Sequence, residues 1–159
     1  MLRSDNKYFD NIKQIAHQYE KDRSERQSRK KDIIQIYGWD SPELKAWYEE
    51  DSKFEFPFSS GITKAYRAWA QSLYYKEDEV EMSEFLWDTE VKDFVDTLRN
   101  AGILHFVYTN QSTAVMQNIH SFVSEGCMLI GLCTITRYEP DSFWNDDKSE
   151  ILGIKFSIN

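Results

Sequence analysis

The second half of the chain alternates amphipathic helices with apolar strands, and this alternation restricts the fold more than any other feature. The segment "DTEVKDFVDTLRNAG" has the spacing of a helix that ends at Gly102. Its inward face is predicted to hold Val91, Phe94, Val95 and Leu98. The strand "ILHFVYT", the helix "STAVMQNIHSFVSEG" and the strand "CMLIGLCTIT" follow in that order. This β-α-β arrangement predicts a right-handed parallel crossover.

The last two strands differ in their apolar pattern. "CMLIGLCTIT" is apolar on both faces, which predicts a covered position in the middle of the sheet. "ILGIKFSI" alternates apolar and polar residues, so one of its faces is expected to contact solvent. The polar stretch "RYEPDSFWNDDKSE" lies between them, and we expect the two strands to pair antiparallel across it.

The first half of the chain is predicted to be helical. An apolar stripe begins after a cap at Ser4 or Asp5 and stops at Tyr19. Residues 20–32 contain no apolar side chain, so a helix that continues there runs into solvent. Ser41 followed by Pro42 is a strong helix start. A further amphipathic helix is predicted in "SSGITKAYRAWAQSLYY".

These segments predict an α/β fold, with α+β as the alternative class. A helical N-terminal half packs on a small mixed sheet, in the order α-α-α-α-β-α-β-β. The helical region spans about residues 1–80 and the α-β-α-β-β region about residues 83–159. The strands are too few to bury themselves, so we expect a single domain over residues 1–159.

The junction "VYTNQSTAVMQNIHSF" places hydroxyl groups where a strand runs into a helix. A nucleophile elbow or a phosphate loop would require glycine at this point, and the junction has none. Asn110 or Ser112 as a helix cap therefore accounts for the composition. An anion site formed by Ser112, Thr113 and His120 stays open as the alternative.

No catalytic residue, metal ligand or cofactor site is predicted elsewhere. The three histidines lack a local metal-ligand spacing, and no two carboxylates stand out as a general acid and base. Cys127 and Cys133 would lie about 20 Å apart along an extended strand, too far for a disulfide. We expect both thiols to be reduced and buried.

The charges are separated along the chain, whose net charge is −8. Residues 21–31 carry six basic and two acidic side chains, and a phosphate contact there would use Arg23, Arg26, Arg29 and Lys30. Residues 77–96 carry nine acidic side chains and one basic one. Five of these acids are predicted to be solvated and available for docking a partner: Glu79, Glu81, Glu84, Asp88 and Glu90. A pI near 4.9 disfavours general nucleic-acid binding.

The segment Phe94–Arg137, which contains "STAVMQNIHSF" and "EGCMLIGLCTITR", resembles small uncharacterised bacterial proteins described only as a domain of unknown function. The resemblance implies a bacterial or mobile-element setting and no activity. The chain has no window apolar enough for a membrane span and no signal-peptide core, so a cytoplasmic location without membrane contact is expected.

The function that these patterns favour is non-enzymatic. We expect an acidic interaction or regulatory protein, accessory or inhibitor-like, that binds a basic macromolecular partner, most simply a protein. Two alternatives stay open. One is a small enzyme or anion-binding protein with its site at the start of the 112–125 helix, and the other is a nucleic-acid contact through residues 21–31.

Overall fold

The computed structural model describes residues 2–140 and 147–159. Within this part, the helices are α1 (Lys7–Tyr37), α2 (Pro42–Asp51), α3 (Ser60–Tyr74), α4 (Asp88–Asn100) and α5 (Val115–Ser124). The strands are β1 (Val80–Met82), β2 (His105–Tyr108), β3 (Cys127–Tyr138) and β4 (Lys148–Ile158). The class is α+β, with the helical half first, as predicted. No helix in the described part of the chain has the length and apolar content needed to cross a bilayer.

The chain divides into two compact units. Asp10–Pro57 forms a helical unit, and the residues up to Phe9 together with Phe58–Asn159 form a unit that contains the whole sheet. Residues 83–159, the predicted α-β-α-β-β region, lie entirely in the second unit. The single domain over residues 1–159 stays a prediction.

The helical unit is held together by its aromatic side chains and one arginine. Ser41 caps α2, as predicted, by accepting a hydrogen bond from the Leu44 N–H at 3.2 Å. Trp47 is buried, and its Nε1 donates to the Arg26 carbonyl oxygen at 3.2 Å. The Tyr19 ring stacks on the Phe54 ring with centroids 4.8 Å apart. These contacts join α1 to α2 and to the segment that follows α2.

The start of α1 corrects the predicted cap. Asn6, rather than Ser4 or Asp5, accepts a hydrogen bond from the Phe9 N–H at 3.1 Å through its Oδ1. Its Nδ2 also donates to the Ala101 carbonyl oxygen at 2.9 Å, which ties the helix start to the end of α4. Asn6 therefore makes a second, long-range hydrogen bond that no local pattern indicates. Phe9 is fully buried and stacks on Trp69 of α3.

The sheet has the strand order β1-β2-β4-β3. β1 pairs parallel with β2, and α4 forms the crossover between them. β3 and β4 pair antiparallel, which confirms the prediction for the last two strands. β4 also pairs antiparallel with β2, so β2 and β3 run parallel to each other with β4 between them. The three-residue strand β1 was not predicted, because it lies inside the acidic stretch.

An aromatic cluster forms the core on one face of the sheet. Phe106 of β2 packs against Phe94 of α4 at 5.4 Å between ring centroids and against Phe122 of α5 at 5.0 Å. Phe156 of β4 stacks on Phe106 at 5.3 Å. The predicted inward face of α4 is confirmed, because Val91, Phe94, Val95 and Leu98 are all fully buried. This face of the sheet therefore packs against α4 and α5.

The position predicted for β3 is wrong. β3 lies at the edge of the sheet, and β4 takes the central place between β2 and β3. A strand that is apolar on both faces usually lies mid-sheet. Here much of the apolar surface of β3 is exposed to solvent instead.

Candidate interaction surface

The strand-to-helix junction does not form the predicted cap. α5 begins at Val115, and its N-cap is Ala114, which makes no side-chain capping hydrogen bond. Asn110 instead accepts a hydrogen bond from the Ser112 N–H at 2.9 Å and donates through Nδ2 to the Ser83 carbonyl oxygen at 2.9 Å. Asn110 therefore joins the loops that follow β1 and β2, and the start of α5 has no capping side chain.

The proposed anion-site residues are all on the surface. Ser112, Thr113 and His120 are exposed, and the hydrogen bonds of the described residues include none from their side chains. The carbonyl oxygen of His120 accepts a hydrogen bond from Ser124 within α5. The structure thus presents these three polar groups to solvent, and no hydrogen bond among the described residues joins the His120 side chain to either hydroxyl.

Asn118 is the residue of this helix that the sequence pattern missed. It is fully buried, and its Nδ2 donates to the Leu86 carbonyl oxygen at 2.6 Å while its Oδ1 accepts from the Leu86 N–H at 3.2 Å. The Tyr108 hydroxyl donates to the same Oδ1 at 2.5 Å. Burial raises the pKa of Tyr108 to about 12. The network fixes the loop between β1 and α4, which is a structural role.

Two of the five predicted docking carboxylates are buried, so their predicted exposure is wrong. Glu81 of β1 is 5% exposed and Glu90 of α4 is 9% exposed. Glu90 accepts from the Lys64 ammonium at 2.7 Å, from the Ser60 hydroxyl at 3.0 Å and from the Trp87 N–H at 3.2 Å. Burial alone would raise the pKa of Glu90, but these hydrogen bonds outweigh it and lower the pKa. Glu90 therefore holds the start of α4 against α3.

The other three docking carboxylates contact partners within the fold. Glu79 pairs with Lys155 at 2.7 Å, and Glu84 pairs with Arg67 at 2.5 Å. Asp88 accepts from the Ser121 hydroxyl at 2.9 Å. Each partner lies at least 17 positions away in the sequence, so no helical spacing could reveal it. Internal pairing reduces the free charge that this region offers to another molecule.

Glu77 and Glu81 form a buried acid pair beside Arg137. Glu77 is 3% exposed, and burial, followed by a hydrogen bond to Glu81, raises the pKa of Glu77 to about 9. Burial would also raise the pKa of Glu81, but hydrogen bonds from Glu77, Arg137 and Thr109 outweigh it and lower the pKa. The Arg137 Nη2 lies 2.8 Å from both carboxylate oxygens of Glu81. Such a pair resembles an acid and a base, but both side chains lie inside the fold and contact other side chains.

The basic segment is partly engaged in the helical unit. Arg26 pairs with Asp51 at 3.2 Å and lies 4.9 Å over the Phe54 ring. The Lys30 ammonium lies over the rings of Trp47 and Tyr48 at about 5 Å. Arg23 is exposed and only 4.0 Å from Glu20, and Arg29 is exposed. The four predicted phosphate-contact residues therefore do not form one free basic stripe.

Both cysteines are free, and the prediction that both are buried is confirmed for Cys127 and wrong for Cys133. Cys127 is buried, and burial raises its pKa to about 11, while Cys133 is only partly buried and its pKa is raised by desolvation. A raised pKa keeps the thiol protonated and weakly nucleophilic at neutral pH. The described residues contain no cluster of three or more histidine, cysteine, aspartate or glutamate side chains that could hold a metal ion.

The outer part of the sheet carries the largest group of exposed apolar side chains along one strand. Met128, Leu129, Ile130 and Leu132 are 48–74% exposed, and all four belong to β3. Leu152, on β4 next to this strand, is 55% exposed. Leu129 pairs with Phe156 and Leu132 pairs with Ile154, so both leucines lie on the face that α5 covers elsewhere. Exposed apolar side chains gathered on an edge strand are typical of an interaction site.

The backbone of β3 also has groups along its outer side that no other described residue pairs with. The Glu139 N–H donates to the Asp147 carbonyl oxygen, and the Ile158 N–H donates to the Leu104 carbonyl oxygen. These two bonds show which residues of β4 form hydrogen bonds with β3 and which form them with β2. From the β3–β4 register, five residues of β3 therefore point their N–H and C=O groups away from β4: Cys127, Leu129, Leu132, Thr134 and Thr136. Tyr138 also points outward, and its N–H donates to the Tyr75 carbonyl oxygen at 2.9 Å. Within the part of the chain that the structure describes, the outer edge of β3 is thus paired at Tyr138 and unpaired before it.

Comparison with known proteins places the sheet-containing part of the chain in a family. The sequence model of a family described as a domain of unknown function, DUF7698, matches residues 64–158, which is more than half of the chain, so the chain belongs to this family. The match begins within α3 and ends within β4, and it confirms the resemblance to an uncharacterised domain family. Neither the curated proteins nor the solved structures gave a significant match.

Proposed function

We propose that this member of the DUF7698 family is a non-enzymatic interaction protein, and that the open edge of β3 is its binding surface. The observation that carries the proposal is the combination of exposed apolar side chains and outward backbone groups on one strand. Together they offer a partner both hydrogen bonds and apolar contacts. Added strands gain affinity from main-chain hydrogen bonds and specificity from alternate side chains.

The edge lacks most of the features that usually protect an exposed strand. Monomeric proteins commonly protect an edge strand with charge, proline or a short length. β3 is 12 residues long, and residues 127–136 contain neither charge nor proline in a chain that is 29% charged. Its one irregularity is a bulge between Leu129 and Gly131. An edge of this kind favours a bound partner as its normal state.

Capture from the native host tests the proposal directly. The wild-type protein and two variants, Leu132→Lys and Met116→Lys, would be used as baits, with bound proteins identified by mass spectrometry. Met116 is 76% exposed on α5, so it is a matched control for adding charge to an exposed apolar position. We expect a specific partner to be lost with Leu132→Lys and kept with Met116→Lys. Equal capture by all three baits would contradict β3 as the binding surface.

A basic partner is a second proposal, and it is supported by a groove beside β3 that carries acidic side chains. A groove of about 490 Å³ is lined by Asp78 and Glu79 on one side and by residues 134–136 of β3 on the other. Asp78 is exposed, so the groove offers negative charge beside the interaction strand. A lysine or arginine of a partner on β3 would be attracted to it. The net charge of −8 would increase the rate of such an association.

Association kinetics at two salt concentrations test the basic partner. Neutralising Asp78 and Glu84 together, as Asp78→Asn and Glu84→Gln, should slow association at low salt and reduce its salt dependence. Glu90 is left unchanged, because it holds α4 in place. The neutral substitution Ser83→Ala, at an exposed residue between them, serves as the control. An association rate that changes neither with salt nor with the double substitution would exclude these acidic residues as part of the binding surface.

The other functions predicted from the sequence stay proposals with less support. An enzyme or anion site at Ser112, Thr113 and His120 has only exposed polar groups at the start of α5 in its favour. Nucleic-acid contact would rely mainly on Arg23 and Arg29, since Arg26 and Lys30 contact aromatic rings of the same unit. A bacterial or mobile-element origin and a cytoplasmic location, both expected from the sequence, stay part of the proposal.

A further inference from the structure

We infer that the strand bound to β3 is β3 of a second copy of this chain, in an antiparallel pair around a twofold axis. The inference rests on the proposed function, because it names the partner of the same edge. Its basis is the bulge in β3, the charge of the strand and the direction of its backbone groups.

The bulge restricts which strands can pair with β3 over its full length. The register shifts between Leu129 and Gly131, so the alternation of outward groups is interrupted by one residue at Ile130. Outward groups lie at Cys127 and Leu129 before the bulge and at Leu132 and Thr134 after it. A regular strand would match one half of this pattern and lose the other. A partner with the same bulge at the same place matches both halves.

A twofold axis between Ile130 and Gly131 places the two bulges opposite each other. Leu129 then faces Leu132 of the second copy, and Cys127 faces Thr134 of the second copy. In each of these pairs both residues point their N–H and C=O groups outward from β4. The faces also agree, because Leu129 and Leu132 both lie on the α5 side of the sheet. The pairing would join two four-stranded sheets into one.

The charge of the chain also favours self-pairing at this strand. Two copies that each carry −8 repel each other over most of their surfaces. Like charges directly opposite each other on paired strands are destabilising. The eight residues from 127 to 134 that would pair contain no charged side chain, so this contact brings no such charges together. Met128 and Ile130, both more than half exposed, lose contact with water in the pair.

Sedimentation velocity tests the inference. The protein concentration should range from about 1 to 200 µM, because a single strand pair buries less area than a standard interface and is expected to associate weakly. We expect a concentration-dependent dimer for the wild-type chain. Leu132→Lys should raise its dissociation constant at least about tenfold, and Met116→Lys, at an exposed position on α5, should change it much less. A monomer at every concentration would overturn the inference.

Disulfide trapping tests the register. The twofold pairing places Met128 opposite Cys133 of the second copy, in a pair without mutual hydrogen bonds, where Cβ atoms lie about 4.5–5.5 Å apart. Met128→Cys should therefore form a covalent dimer under mild oxidation, and adding Cys133→Ser should abolish it. Within one chain these two positions are too far apart on the extended strand to react. A covalent dimer that persists without Cys133 would overturn this register.

The two proposals fail in distinguishable ways. In one outcome, the wild-type chain stays monomeric and captures a host protein that the Leu132→Lys variant does not capture. This outcome would refute self-pairing and support β3 as a binding surface for another protein. If the Leu132→Lys variant dimerised as strongly as the wild-type chain and the Met116→Lys variant, β3 would be refuted as the contact between copies.

Discussion

The carboxyl groups of Glu77 and Glu81 are hydrogen-bonded to each other inside the fold, and their pKa values move in opposite directions. The pKa of Glu77 is raised to about 9, so its carboxyl group remains protonated at neutral pH. The pKa of Glu81 is lowered, so its carboxylate remains ionised beside Arg137. Arg137 also lies 4.7 Å over the Tyr75 ring, and the Tyr138 N–H donates to the Tyr75 carbonyl oxygen. The pair therefore connects β1 to the far end of β3.

Glu77→Gln is expected to stabilise the protein at neutral and alkaline pH. Between the ordinary pKa of 4.5 and the folded value of about 9, the unfolded chain releases a proton that the folded chain keeps. The contribution of Glu77 to stability is therefore full below pH 4.5 and is lost as the pH rises toward 9. A glutamine can still donate a hydrogen bond to Glu81, and it has no carboxyl group that must stay protonated. We therefore expect the free energy of unfolding to rise by about 1–3 kcal/mol at pH 7 and to change little at pH 4.

Chemical denaturation at several pH values measures this effect, with Glu81→Gln as the matched variant. The lowered pKa of Glu81 gives stability that is present above its ordinary pKa and lost as the pH falls. Glu81→Gln should therefore destabilise the protein at neutral pH and have less effect in acid. If Glu77→Gln were equally neutral or destabilising at pH 4 and pH 8, the raised pKa of Glu77 would be wrong.

Asn118→Ala is expected to cost about 2–4 kcal/mol of unfolding free energy, because it leaves the buried Leu86 backbone groups without partners. Tyr108→Phe removes only the hydroxyl that donates to Asn118, so a cost of about 1 kcal/mol is expected. Urea denaturation of both variants distinguishes the two losses. Equal costs for the two substitutions would mean that Asn118 does not hold the loop at Leu86.

Ser112→Ala is expected to change stability by less than about 0.5 kcal/mol, since the Ser112 side chain is exposed and does not cap α5. Asn110→Ala should cost more, about 1 kcal/mol, because it removes the hydrogen bonds to Ser83 and Ser112. Thermal unfolding of the two variants provides the measurement. A loss of 0.5–2 kcal/mol for Ser112→Ala, the range of a true N-cap, would support the capping role that the sequence predicts.

Glu90→Ala and Glu84→Ala are expected to differ strongly although both residues belong to the acidic stretch. Removing Glu90 leaves Lys64, Ser60 and the start of α4 without their acceptor, and we expect a cost of about 1–3 kcal/mol. Glu84 pairs with Arg67 near the surface, where such a pair contributes about 0–1 kcal/mol. Equal effects in denaturant titrations would contradict the burial of Glu90.

The elements with local signals can be predicted from the amino-acid sequence alone. The helix spacing of Val91, Phe94, Val95 and Leu98 places one face of α4 in the core, and the structure buries all four. Ser41 and Pro42 start α2, and the last two strands pair antiparallel, as predicted. In each case the physical reason lies within a few residues: a repeat of side chains along one element, a cap, or a short connection.

The positions of the charged side chains and the order of the strands depend on long-range contacts in the fold. Glu81 is buried because Arg137, 56 residues later, and Thr109 reach it, and Glu90 is buried because Lys64 lies across from it on α3. β1 has a glutamate at its centre, so its apolar signal is too short to separate from the acidic stretch around it. The same apolar sequence fits a central strand or an exposed edge. The order of strands in a sheet follows from long-range packing, which no local pattern in β3 contains.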